Sequence, residues 1–334
     1  VVPGRSVFAA PLVSAHGDEE EHVDPISTVR IFTEHAIVWW LAALLLVAAG
    51  LYGYGVWKLR TRGDHWSGWR TFSFIAPGLG IIAYAAMGGP GYYDDTVFSV
   101  HMVQHMLLMM VAPIFLALGA PVTLALRTLP KAGRSVLLSA LHSRVARVLT
   151  FPLVGWALYV ASPFALYFTG WYRATLEHTW LHELMHVHFV IVGCLFFWPM
   201  VGIDPIPGRI AHPLRFLVVL TTLPFHAILG LAIYSSDTLI AGDYYPSLHL
   251  AWLNPLDDQR VAGGLLWSSG EAVGLVMLLV IGVQWMRASE REAIREDRRL
   301  DRLEAEAARA AAQSTVQSAV QSARPATPAA TPPG

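Results

Sequence analysis

His178-Thr-Trp-Leu-His182-Glu-Leu-Met-His186 leads without a break into Val187-His-Phe-Val-Ile-Val-Gly-Cys-Leu-Phe-Phe-Trp-Pro-Met-Val201. From 180 to 201 the run is long enough, at 1.5 Å per residue, to cross a hydrocarbon layer of about 30 Å as a helix. Its head carries histidines at four-residue intervals, which a helix stacks on one face, one turn apart. The expectation is therefore a membrane helix with a column of imidazoles descending from one surface. Ionisable side chains are costly in lipid, so such a column marks a functional site by default.

Outward from this stretch, the pattern repeats. Apolar runs near 36–57, 71–88, 98–118, 151–169, 214–234 and 261–286 join the run at 180–201 to make seven. The chain of 334 residues is 54% hydrophobic and 14% charged, with a mean hydropathy of +0.47. A soluble domain has about 25% charged residues. The fold class expected is all-α, a polytopic seven-transmembrane-helix bundle. Residues 1–34 form an acidic, His-bearing amino-terminal segment, 35–287 the transmembrane domain, and 288–334 a charged helix with a disordered tail. The single cysteine, Cys194, excludes an internal disulfide and any CxxC metal site.

Sidedness follows from charge. Of the 23 Lys and Arg residues, Arg5, Arg30, Arg173 and Arg260 fall on one side of the seven-span arrangement. The rest, including Lys58, Arg60, Arg62, Arg127, Lys131, Arg144 and the tail from Arg287, fall on the other. The positive-inside rule places the rich side in the cytoplasm, with the amino terminus outside. Residues 134–149, basic and apolar by turns, read as a helix lying on the cytoplasmic surface. The apolar segment 7–15 reads as the tail of a signal peptide, and His16 to His22 as a flexible end or a metal-collecting arm.

With these directions, His101, His105, His178, His182, His186 and His226 all fall in the outer half of the bundle. Glu271 sits near mid-membrane, facing the choice of staying protonated or pairing with a histidine or metal. Scattered structural histidines have no reason to share a depth, so the convergence points to one metal site between helix faces. Met102 and Met106 lie beside the histidines of the third span. Thioethers suit Cu(I), and they also fill irregular packing between helices. His226, after Pro224, is either a ligand or bonded to a freed backbone carbonyl. His188 and His142 point elsewhere.

Two other chemistries fit the same residues. His182-Glu183-Leu184-Met185-His186 is an HExxH, the spacing that sets two zinc ligands beside a general base, here Glu183. Asn254-Pro255-Leu256-Asp257 loosely matches the second motif of intramembrane metalloproteases. Haem b held between His105 and His182 or His186 is the third.

His101-Met-Val-Gln-His105-Met-Leu-Leu, Ala112-Pro113 with Gly119-Ala-Pro121, and Asp258-Gln259-Arg-Val-Ala-Gly263-Gly264-Leu-Leu-Trp267 together resemble the seven-helix CtaG family of cytochrome c oxidase assembly factors, over roughly residues 35–287. The resemblance implies a bacterial cytoplasmic-membrane protein needed to mature a haem-copper oxidase, acting on copper delivery to oxidase subunits. His101 and His105 carry over directly, and the fifth-span histidines occupy the family's second histidine stretch. Glu183 is not part of the family's pattern, which leaves room for zinc hydrolysis. The combined expectation is a non-enzymatic metallochaperone holding copper, as Cu(I), through His and Met. The alternative is an intramembrane zinc metallopeptidase. The bilayer and the oxidase are the partners, with a homo-oligomer left open and no nucleic acid.

Overall fold

The structure is a computed structural model and describes residues 24–207 and 210–322. The acidic arm as far as residue 23, with the signal-like segment and His16 and His22, lies outside the described residues, as does the tail beyond Ser322.

All regular elements among the described residues are helices. They are α1 (Trp39–Thr61), α2 (Gly68–Tyr93), α3 (Phe98–Thr128), α4 (Lys131–Leu141), α5 (Arg144–Leu149), α6 (Pro152–Tyr167), α7 (Trp171–Glu177), α8 (Thr179–Val201), α9 (His212–Tyr234) and α10 (Pro255–Ser322), with single turns between. Six of these, α1, α2, α3, α8, α9 and α10, are long and apolar enough to cross a membrane. The expected fourth span at 151–169 is the exception. Its helix α6 has 16 residues, about 24 Å at 1.5 Å each, short of a hydrocarbon layer. The chain breaks at Phe168–Gly170 and continues as α7 at 69° to α6, so a seventh crossing exists only if this bent pair counts as one.

Proline and capping set several helix ends. Pro152 and Pro213 occupy the first turns of α6 and α9, where a missing N–H costs nothing. Asn254 Oδ1 accepts from the N–H of Leu256 and Asp257 at the head of α10. Asp258, one turn in, accepts from the N–H of Ser99 at 3.2 Å and so caps α3 from another element. Gly202 ends α8 in the left-handed region at φ 66°. The surface segment expected at 134–149 is two short helices, α4 and α5, without a buried residue.

Two compact units divide the chain between Ile281 and Gly282. The second is the rest of α10. Its Glu/Arg/Ala-rich sequence stays helical to Ser322, in keeping with the high helix propensity of alanine.

In the first unit, α8 packs along α3 and α6. A close approach fixes its height. Pro113 has no N–H to give the Met109 carbonyl, and α3 widens into π geometry over Leu107–Val111. Gly193 of α8 lies against that carbonyl so closely that a Cβ there would collide with it. Likewise α9 and α10 cross at Gly230 and Gly263, where a Cβ on either would stand 2.6–2.7 Å from the other's carbonyl oxygen. Small residues let membrane helices meet backbone to backbone. These crossings bring the heads of α3 and α8 to the same end of the unit.

Candidate metal centre

Asp94 lies in the turn between α2 and α3, and its side chain turns inward to 7% exposure. Its Oδ2 accepts from His182 Nε2 at 3.0 Å, from His186 Nε2 at 3.4 Å, and from Gln104 Nε2. Gln104 also donates to the Ala85 carbonyl at 3.0 Å and accepts from His186 Nε2 at 3.0 Å. The two imidazoles come from consecutive turns of α8, with ring centres 4.7 Å apart and planes at 89°. One donor atom each from Asp94, His182 and His186 lie within 4.8 Å of one another, and no other group of three such residues does so among the described residues.

Burial by itself pushes the Asp94 carboxyl up. His182 first, then His186, more than offset this by charge and hydrogen bonding, and hold it well below the usual carboxylate range. An ionised carboxylate and the Gln104 carbonyl oxygen only accept, so both histidines present Nε2–H to them. An ion entering here takes the place of those protons. One carboxylate oxygen and two imidazole nitrogens are a fitting donor set for a divalent first-row metal.

The other predicted site residues lie around this group rather than in it. His178 precedes the first residue of α8 in extended conformation, is exposed, and donates from Nδ1 to the Ala174 carbonyl at 3.1 Å. The expected three-histidine column is therefore a pair, because the helix starts one residue too late to carry His178. His101 is fully buried with its ring centre 6.2 Å from that of His182. His105 engages both nitrogens, Nδ1 with Tyr167 Oη at 2.8 Å and Nε2 with Met109 Sδ at 3.1 Å, and stacks on Phe189 at 4.1 Å. Both His105 nitrogens are thus engaged, and one ring face is covered. His226 is buried against Tyr159 and Gly270 and bonds the Thr222 carbonyl at 3.4 Å. Met102 and Met106 are buried, with Met102 Sδ 3.9 Å from Tyr167 Oη. Glu183 and Glu271 are half-buried and outside the three-donor group. His188 bonds Ser162 Oγ, clear of the site.

Residues 50–288 match the family described as cytochrome c oxidase caa3 assembly factor, Caa3_CtaG. The chain belongs to that family. The caa3 assembly-factor match takes in Asp94, His182 and His186, and with them Gln104, His101 and Tyr167. Curated relatives include uncharacterized proteins of Mycobacterium bovis and Mycobacterium tuberculosis, each 38% identical over 268 residues, 78% of this chain and 40% of the relative. An uncharacterized protein of Mycobacterium leprae is 35% identical over 285 residues, 83% of this chain and 43% of the relative. The chain thus spans well under half the length of these relatives. No solved structure matches.

Sequence reasoning missed Asp94, Gln104 and Tyr167 in this caa3 assembly-factor chain. Gln104 stood inside the quoted HMVQH. Asp94-Asp95, six residues before that motif and between two membrane runs, was the available signal. A carboxylate beside an apolar boundary needs a partner, and the histidines at the same depth are that partner.

Proposed function

We propose that this chain is a membrane assembly factor for haem-copper cytochrome c oxidase that holds a copper ion at Asp94, His182 and His186 and passes it to the oxidase. Membership of the caa3 assembly-factor family supports the process. The three donor atoms within 4.8 Å, drawn from separate segments and buried together, carry the copper reading.

The donor set refines which copper. Nitrogen and carboxylate oxygen favour a divalent ion at this position, whereas Cu(I) would draw on thioethers such as Met102 and Met106, which lie beyond the three donors. No thiolate takes part, so ligand exchange to an acceptor site is not blocked by very tight binding. Loading displaces the Nε2 protons that His182 and His186 now give to Asp94 and Gln104, to Nδ1 of a neutral ring or to solvent from a charged one, and unloading reverses this. His178, exposed at the head of α8, is the first contact for an arriving ion. The asymmetry of Lys and Arg supports placing this end on the extracytoplasmic face of a bacterial cytoplasmic membrane.

The test is copper occupancy and affinity of the purified chain beside Asp94→Asn and His182→Ala. Copper content of the oxidase is followed in cells carrying each variant. Both variants should lose copper, and their cells should accumulate copper-deficient oxidase. Unchanged occupancy in both would remove this reading.

A zinc hydrolase is the second reading, favoured by one observation. The two histidines of the HExxH are joined by a carboxylate from another segment, the donor set of many catalytic zinc sites. Glu183→Gln separates the two. A hydrolase loses turnover and keeps its metal, while an assembly factor matures oxidase as before.

A further inference from the structure

His101, Tyr167, His105 and Met109 form a chain of contacts through the interior that the three-donor group does not use. His101 Nε2 is 3.1 Å from Tyr167 Oη, His105 Nδ1 is 2.8 Å from the same oxygen, and His105 Nε2 is 3.1 Å from Met109 Sδ. All four side chains are buried, none more than 2% exposed.

Counting protons along this chain gives it a direction. A thioether sulfur only accepts, so His105 presents Nε2–H to Met109. A neutral imidazole has one N–H, so His105 Nδ1 must accept, and the hydrogen it accepts at 2.8 Å is that of Tyr167, for which Met102 Sδ at 3.9 Å is the more distant acceptor. With its one hydrogen committed, the Tyr167 oxygen accepts from His101, which presents Nε2–H. Neutral His101 is then left with a bare lone pair on Nδ1. That atom is buried and has no hydrogen-bond partner among the described residues. Buried polar atoms are nearly always paired, and one left open on a ring that neighbours His182 calls for a ligand.

We infer that His101 offers Nδ1 as a fourth ligand to the ion held by Asp94, His182 and His186, and that Tyr167 is the positioning residue that keeps this nitrogen free. The inference rests on the metal-centre reading above. One oxygen and two nitrogens leave a position open on a four-coordinate divalent ion, whether tetragonal copper or tetrahedral zinc. The His101 ring lies edge-on to His182 at 6.2 Å, outside the 4.8 Å set, so joining it takes a shift of the ring on loading. Metal-bound imidazoles commonly donate their other N–H to a fixed acceptor, which selects the tautomer. Tyr167 Oη is that acceptor for His101. His105 and Met109 stand behind Tyr167 and fix which way its hydrogen points. His105, expected from sequence as a ligand, acts on this account through Tyr167 instead.

The experiment uses the full chain in detergent, titrated with Cu(II) alone, with bound imidazoles counted by pulsed electron paramagnetic resonance. Wild type should show three, and His101→Ala two. Tyr167→Phe keeps the ring and removes only the oxygen. It should show two imidazoles or an affinity lower by roughly ten- to a hundredfold, while the metal-free protein still unfolds cooperatively, at a lower temperature because two buried partners lose the hydroxyl. Two imidazoles in wild type, or three with unchanged affinity in Tyr167→Phe, overturn the inference. The wild-type count needs no variant, so a poorly folded Tyr167→Phe does not remove the test. Failure of the metal-centre reading looks different, since wild type would then bind no Cu(II), or Asp94→Asn would bind it equally well.

Discussion

His182 Nε2 lies 3.0 Å from Asp94 Oδ2, joining side chains 88 positions apart in the chain. This one contact ties the turn between α2 and α3 to the head of α8. It also changes what the carboxylate can do. Unpaired, a buried aspartate would be driven neutral; shared between two imidazoles and an amide, it stays ionised and ready to hold a cation.

Replacing Asp94 by alanine therefore removes the acceptor of three side chains at once. We expect the metal-free protein to lose about 3–5 kcal/mol of stability, the usual cost of breaking a buried pair. Asp94→Asn should unfold closer to wild type yet bind copper on the order of a hundredfold more weakly, near 3 kcal/mol. Thermal unfolding and competitive copper titration measure the two effects separately.

Acidification should act in two stages. The folded Asp94 carboxyl titrates below its unfolded value, because His182 and His186 outweigh its burial. Its contribution to stability is fully present above about pH 4, the unfolded value, and is lost only as pH falls through the lower folded one. Protons compete with a metal for its nitrogen ligands, so copper affinity should already fall above that range. Copper release should thus precede any Asp94-linked loss of fold, which parallel titrations followed by metal content and by circular dichroism will check.

Gly193→Val tests the packing that sets the height of α8. The new side chain meets the Met109 carbonyl, and the strain should cost about 1–3 kcal/mol or more. Because α8 carries His182 and His186, copper affinity should drop with stability in this variant, although no ligand is altered.

Asp204 is the matching control at the opposite end of the bundle. Buried to 1%, it accepts from the N–H of Val122 and Thr123, the Thr123 hydroxyl and the Trp198 indole, and so caps the helical turns 121–128 that restart after the left-handed Ala120. Asp204→Ala should destabilise the protein by about 1–3 kcal/mol through the donors it strands. Copper affinity per folded molecule should be unchanged.

Much of the architecture was legible in the residues themselves. Apolar runs of membrane length locate the helices to within a few residues, since one helix crossing lipid must be apolar along nearly its whole length. The i, i+4 spacing of His182 and His186 likewise reports a shared face, a property of a single helix. The exceptions have local causes. The run at 151–169 yields a short helix and a bend, and His178 stops one residue outside α8, because hydropathy does not record where a helix begins or breaks.

By itself, then, the sequence determined a helical membrane protein of this family with two histidines poised on one face, since composition and periodicity are written residue by residue. Only the tertiary structure decided what those histidines face. Gly193 against the Met109 carbonyl sets how far α8 slides along α3, and that height brings Asp94, Gln104 and Tyr167 into register with the imidazoles. A carboxylate in a turn and a phenol at a helix end have no periodic signature. Their roles come from distances between segments, which packing alone fixes.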